Sequence, residues 1–201
     1  MIRIATVLRR PGAAWALLAG VLAAGAAVVG ALNVAPALDW QPDRWWREPW
    51  RLWTAAFVHL SPMHLVANLV ATLLLGAIGG LAMLPARAAV AWCLAWPLTH
   101  LALLSMPELR HYGGLSGLLH GGVAIVAVHL VRHGRGREQA VGLLLLAALT
   151  AKVLSETPWR AAVQTSPSWD IPVAPIAHLT GAVAGLLCAL AVQTVRRLRR
   201  A

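Results

Sequence analysis

Apolar residues in this chain gather into long runs separated by short polar breaks, rather than alternating as in a half-buried strand. A helix needs about 20 mostly apolar residues to cross the hydrocarbon layer of a bilayer. Six stretches meet that need: 13–34, 62–84, 87–106, 115–132, 139–156 and 175–195. The first carries no charge over its apolar run, whereas Lys152 interrupts the fifth. Connections such as Pro85-Ala86-Arg87 are short, which predicts antiparallel neighbours. No soluble domain, repeat or low-complexity segment fits in what remains. The pattern predicts an all-α membrane protein, a bundle of six transmembrane helices occupying residues 1–201 as one domain.

The first run resembles a secretory leader in its flanks, with Arg9 and Arg10 before it and Ala35-Pro36-Ala37 after it. Its apolar length exceeds the about 7–15 residues of a leader core, so a retained helix is expected.

Composition agrees with the pattern. Hydrophobic residues make up 59% of the chain and charged residues 12%, against about 25% charged in a soluble domain. Disorder and a disulfide-stapled secreted domain are excluded on the same grounds. Cys93 and Cys188 fall in the inner halves of their helices and read as small core hydrophobes. The formal charge of +10 would suggest nucleic acid in a soluble protein. Here too few polar residues remain to build a basic groove, so no nucleic-acid partner is expected.

The charge instead orients the bundle. Six spans put both termini on one side, together with Arg3, Arg9, Arg10, Arg87, Arg132, Arg135, Arg137, Arg196, Arg197, Arg199 and Arg200. Arginine-rich short loops mark the cytoplasmic face, so both termini are expected there. Asp39, Asp43, Glu48, Glu108, Glu156 and Asp170 fall outside. So do Trp40, Trp45, Trp46, Trp50, Trp53, Trp159 and Trp169, which read as an interfacial aromatic belt.

Polar groups within the spans are costly, and each is a functional candidate. The second, fourth and sixth spans run in the same direction, and each carries its unusual residues near its outer end. These are His64 and Asn68, then Ser116, then His178. His64 and Asn68 are i and i+4, on one helix face. Gly113, Gly117 and Gly121 form a small-residue stripe, as do Gly181 and Gly185 with Ala177 and Ala189. Such faces let membrane helices approach closely. If the stripes meet, Ser116 and His178 come within reach of each other.

The fourth span is short, about 25 Å at 1.5 Å per residue against a core of about 30 Å, so Ser116 is expected below the outer surface. A serine at a helix N-terminus in a wet recess has the chemistry of a nucleophile, with His178 as general base. Backbone N–H groups at the helix start, with His64 and Asn68, would stabilise a tetrahedral oxyanion. Gly114-Leu115-Ser116-Gly117-Leu118 is not the soluble-hydrolase elbow, because it lacks the final glycine of G-x-S-x-G.

Three motifs, in order, resemble those of the rhomboid intramembrane serine proteases over nearly the whole chain. They are Trp50-Arg51 continuing through Thr54–His59 to His64 and Asn68; Gly114-Leu115-Ser116-Gly117; and Ala177-His178-Leu179-Thr180-Gly181 with Gly185. The resemblance implies a Ser–His dyad without an acidic third member, with Ser116 as nucleophile and His178 as base. It implies an oxyanion hole of His64, Asn68 and the Ser116 backbone N–H, and His59 as a brace for the first outer loop. It further implies no cofactor, and membrane-anchored protein substrates cut near the outer (periplasmic) face of a bacterial inner membrane.

Many rhomboids carry a tyrosine one turn after the serine, where this chain has His120. That difference and the compact six-helix length resemble the rhombosortase subgroup, which implies removal of a C-terminal tail made of Gly-Gly, a hydrophobic helix and basic residues. His120 reads either as a substitute for the tyrosine or as simple packing.

Other readings stay beside this one. The chain could be a general rhomboid with other single-span substrates, or a non-proteolytic relative that binds membrane clients, against which the presence of both Ser116 and His178 argues. Eight histidines also suit a haem- or metal-binding helical protein. Ligation, however, does not need Asn68 and Ser116 beside His64 and His178. His100, His111, His129 and His133 read as core or interfacial. Lys152 and Glu156, i and i+4, read as an ion pair that reduces the burden of both charges, with Glu156 also able to face an incoming substrate. Oligomeric state is left open.

Overall fold

A computed structural model describes residues 10–32 and 34–198. Arg3, Arg9, Arg199 and Arg200, four of the arginines in the orientation argument, lie outside the described residues. The described chain is all-helical, with two isolated bridges, Trp40 with Tyr112 and Gln164 with Val173, and no strand. Its six long helices are α1 (Ala13–Leu32), α2 (Pro62–Leu81), α3 (Ala86–Leu101), α4 (Ser116–His133), α5 (Arg137–Ser155) and α6 (Pro175–Leu198). A 3₁₀ turn, Ala102–Ser105, prolongs α3.

Local chemistry sets several of the ends. Ser61 caps α2, its Oγ accepting from the His64 N–H at 3.1 Å, with Pro62 in the first turn. This supplies an acceptor for one of the otherwise unpaired N–H groups of a helix start. Proline again opens α6 at Pro175, where its missing N–H is no loss. α4 has no side-chain cap at its N-terminus.

The core of the bundle is built on aromatic and small residues. Trp15, Ala19, Leu22 and Ala26 form the buried stripe of α1. The Trp15 indole stacks on Trp92 with centroids 4.3 Å apart, and its N–H donates to the Leu75 carbonyl at 2.9 Å. Trp92 in turn donates to the Leu118 carbonyl at 2.9 Å, tying α3 to α4. Leu17, Val21, Val28 and Leu32, by contrast, face outward, where an apolar solvent suits them.

Five helices are long and apolar enough to cross a membrane: Ala13–Leu32, Pro62–Leu81, Ala86–Ser105, Arg137–Ser155 and Pro175–Gln193. The chain is therefore an integral membrane protein. Of the six expected spans, α4 is the one that falls outside that set. The reason is its position. α4 packs against α6, α5, α3 and α2, and most of its residues from Gly117 to Leu130 are buried in protein. A helix sheltered by its neighbours has no need of a lipid-facing apolar surface.

Other readings also change. Trp40 is fully buried and bridges to Tyr112, so it belongs to a second apolar cluster with Leu103, Leu109 and Ile176 rather than to an interfacial belt. Trp46, Trp50, Trp53 and Trp159 are exposed. Cys188 is buried, whereas Cys93 lies on the outer surface of α3, and both are free thiols. Gly113 precedes α4 and fits against Val58, so it is not part of the helix stripe.

Arg51 organises the loop between α1 and α2. Only 2% exposed, its guanidinium donates to the Asp39 carboxylate at 2.9 Å, the Asp39 carbonyl at 2.7 Å and Glu48 at 2.6 Å. His111 holds the other Asp39 oxygen at 2.7 Å. The loop is fastened to α3 by the His100 ring, whose Nδ1–H donates to the Leu52 carbonyl at 2.6 Å. Through Asp39, His111 and the Trp40–Tyr112 bridge, it also steadies the segment that leads into Ser116.

Candidate active site

The small-residue stripes of α4 and α6 meet backbone to backbone. A Cβ on Gly117 would lie 2.7 Å from the Ala177 carbonyl oxygen, and one on Gly121 would lie 2.8 Å from that of Gly181. A Cβ on Gly181 or Gly185 would collide in turn with the carbonyl of Gly117 or Gly121. Only glycine permits this approach, and it carries the side chains beside the stripes into contact. Ser116 Oγ lies 3.1 Å from His178 Nε2.

The other nitrogen of His178 has an unexpected partner. Nδ1 is 2.7 Å from Glu156 Oε2, a carboxylate just beyond the end of α5. A carboxylate oxygen only accepts, so Nδ1 carries the hydrogen and the Nε2 lone pair faces the serine hydroxyl. Lys152 pairs with Oε1 of the same carboxylate, as the i,i+4 spacing predicts. Sequence reasoning saw that pair and missed the bond to His178, which lies 22 residues further on. The one available signal was depth: Glu156 ends its helix at the same end of the bundle as Ser116 and His178.

His120 lies on the face of the base. Its ring is stacked on that of His178 at 4.2 Å and 11°, and its Nδ1–H donates to the Ser116 carbonyl at 2.7 Å. His120, Glu156 and His178 hold potential ligand atoms within 4.8 Å of one another. The arrangement suits a metal poorly. Both nitrogens of His178 and both oxygens of Glu156 are engaged in hydrogen bonds or ion pairs. Parallel stacked rings also direct their in-plane lone pairs side by side rather than to a common point.

His64 and Asn68 are buried on α2, and His64 Nδ1 and Asn68 Nδ2 have no partner. Both side chains approach Gly114, where a Cβ would lie 2.8 Å from the His64 ring and 3.6 Å from Asn68 Nδ2. Gly114 has φ +133°, a backbone conformation L side chains rarely adopt, so position 114 requires glycine on two counts. The unused Asn68 amide donor and the His64 ring thus border the turn into Ser116. Tyr112, also missed in the sequence, accepts from the Gly117 N–H at 3.4 Å and donates to the Gly114 carbonyl at 3.2 Å. Burial pushes the Tyr112 phenol upward, against weaker opposing hydrogen bonds from Ser116 and Gly117.

These groups line one cavity of about 490 Å³, walled by α2 on one side and α5 on the other and roofed by Trp169 and the 171–174 segment. Trp169 sets its edge against the His64 ring at 6.2 Å. His59 flanks His64 at 4.9 Å, its Nδ1–H donating to the Phe57 carbonyl at 3.1 Å. Burial lowers its pKa more than that bond raises it. Trp50 does not line the cavity and Arg51 acts at a distance through the loop, while His129 and His133 stack on each other at the far end of α4.

A membrane-embedded helical bundle that sinks a serine–imidazole pair into a largely apolar recess has the layout of an intramembrane hydrolase. The family model of the Rhomboid domain matches residues 46–194. The chain therefore belongs to the rhomboid family, the intramembrane serine proteases that act on membrane-protein substrates within the bilayer. No curated protein sequence matches it significantly.

Proposed function

We propose that this chain is an intramembrane serine endopeptidase with Ser116 as nucleophile and His178 as general base. The observation that carries the reading is the 3.1 Å contact of Ser116 Oγ with His178 Nε2 inside the cavity between α2 and α5. Ser116 Oγ attacks the scissile carbonyl carbon as its proton passes to Nε2. The oxyanion that forms takes hydrogen bonds from His64, Asn68 and the Ser116 backbone N–H. Collapse breaks the C–N bond, and the Nε2 proton goes to the leaving amine. Water then attacks the acyl ester, giving a proton to Nε2, and hydrolysis returns Ser116 to its hydroxyl form.

All six long helices cross the bilayer, α4 within the shelter of the others. The arginines of the connecting loops support termini in the cytoplasm and a catalytic recess toward the periplasm of a bacterial inner membrane. The substrates are membrane-anchored proteins. The enzyme acts as a rhombosortase that removes C-terminal tails of Gly-Gly, hydrophobic helix and basic residues. His120 stacked on the base, in place of the more usual tyrosine, supports that subtype.

The test is co-expression with a reporter bearing such a tail, followed by mass spectrometry of the mature C-terminus. Cleavage near the Gly-Gly pair that disappears with Ser116→Ala or His178→Ala, while both variants still insert and fold, is the expected result. Normal turnover by either variant refutes the assignment. Cleavage of other single-span reporters but not of this one leaves a general rhomboid protease.

A further inference from the structure

We propose that Glu156 is the positioning member of a Ser116–His178–Glu156 triad, in contrast to the acid-free dyad the family resemblance implies. The proposal rests on the protease reading above. Its ground is the pair of contacts on one imidazole ring, Nδ1 to Glu156 Oε2 at 2.7 Å and Nε2 to Ser116 Oγ at 3.1 Å. The carboxylate side chain is 16% exposed and that of His178 is 11%, so water competes little for the bond.

Two consequences follow from chemistry alone. As an acceptor, the carboxylate keeps the ring hydrogen on Nδ1, which leaves Nε2 free to take the serine proton. When that proton arrives, the ring becomes an imidazolium in a largely apolar cavity, and a carboxylate at 2.7 Å balances the new charge. Glu156 keeps its own charge throughout, and the proton moves only from Ser116 Oγ to His178 Nε2 and on to the leaving amine.

An ion pair that merely eases two charges near the membrane would be satisfied by Lys152. That lysine engages Oε1 from the exposed rim, and its side chain is 55% exposed. The geometry leaves Oε2 for the base, and the Lys152 contact holds the carboxylate in the orientation that presents it. His120 stacks on the ring of His178, so the imidazole is held both in plane and in tautomer.

The experiment uses the full-length protein in detergent, with cleavage kinetics on a membrane-anchored reporter and the rate of Ser116 labelling by a fluorophosphonate probe. Glu156→Gln is expected to lower kcat by about 10²-fold or more with KM nearly unchanged, and to slow labelling in parallel. Glu156→Asp should recover part of both. Lys152→Met, which leaves the His178 bond, should lose far less than Glu156→Gln. The Glu156→Gln/His178→Ala double variant should match His178→Ala, because Glu156 acts through the ring.

Wild-type kcat and labelling in Glu156→Gln, with Ser116→Ala inactive, overturn the triad and leave the protease standing. A double variant well below His178→Ala also overturns it. Normal turnover by Ser116→Ala instead removes the protease reading, and the triad with it. Thermal unfolding checks each variant. If Glu156→Gln fails to accumulate, Glu156→Asp decides: lowered kcat at unchanged KM supports the triad, and wild-type kcat refutes it.

Discussion

Gly117→Ala tests whether the glycine apposition of α4 and α6 sets the catalytic geometry. The added Cβ would stand 2.7 Å from the Ala177 carbonyl oxygen and 3.0 Å from Thr99 Cγ2, where ordinary contact begins at 3.4 Å. The carbonyl belongs to helix backbone and cannot rotate aside, so relief requires α4 and α6 to part by about 0.7 Å. Gly117 is bonded to Ser116 and Ala177 to His178, so the displacement falls directly on the reacting pair. Their contact of 3.1 Å would lengthen to about 3.8 Å, beyond hydrogen-bond reach. A misplacement of this size lowers kcat by about 10²-fold, and the overpacking itself costs about 1–3 kcal/mol of stability. The assay is reporter cleavage with a thermal unfolding curve on the same preparation. Gly20→Ala and Gly80→Ala, whose added Cβ atoms meet nothing within 4 Å, serve as controls and should keep wild-type rates. Gly117→Ala with kcat within threefold of wild type would refute the reasoning.

His64→Ala and Asn68→Ala should each lower kcat by about 10- to 100-fold with little change in KM, since other oxyanion donors remain; an Asn68→Ala enzyme weaker than Ser116→Ala would show the roles to be misassigned. His120→Ala removes a stacked aromatic contact of about 0.5–1.5 kcal/mol and should slow cleavage by about 2- to 12-fold, with His120→Phe restoring most of the rate. Arg51→Ala takes the guanidinium from the buried Asp39 carboxylate, leaving it to His111 and Gln41, and should destabilise the fold by about 1–3 kcal/mol, read as a lower thermal midpoint.

The helices were legible because apolar run length is a one-dimensional signal and lipid enforces it. The Ser61 cap on α2 and Pro85 before α3 mark ends that run length alone left approximate. The polar residues stood out for the same reason: against an apolar background, His64, Asn68, Ser116 and His178 are exceptions that need explaining. What the sequence left hidden is the identity of neighbours across helices. The i,i+4 rule found Lys152 for Glu156, but no local rule links Glu156 to His178 across the 157–174 segment. Trp40 and Cys93 went astray similarly. Depth along a span is readable from sequence, whereas the direction a residue faces depends on packing, which buries Trp40 against Tyr112 and turns Cys93 outward.

The position of α4 explains how so polar a site is tolerated in the membrane. Ser116, His120 and the glycines would be a burden on a lipid-facing helix, but α6, α5 and α3 take the apolar role around it. The close glycine seam secures α4 to α6 and so fixes Ser116 and His178 rigidly, as a reacting pair requires. The opposite wall differs. Within α5 only Gly142 and Val153 are buried; the helix packs on α4 and barely touches α6, yet it carries Lys152 and leads to Glu156 at the cavity rim. The Ser116–His178 pair thus sits on the closely apposed α4–α6 seam, while the wall that leads to Glu156 is the more exposed one.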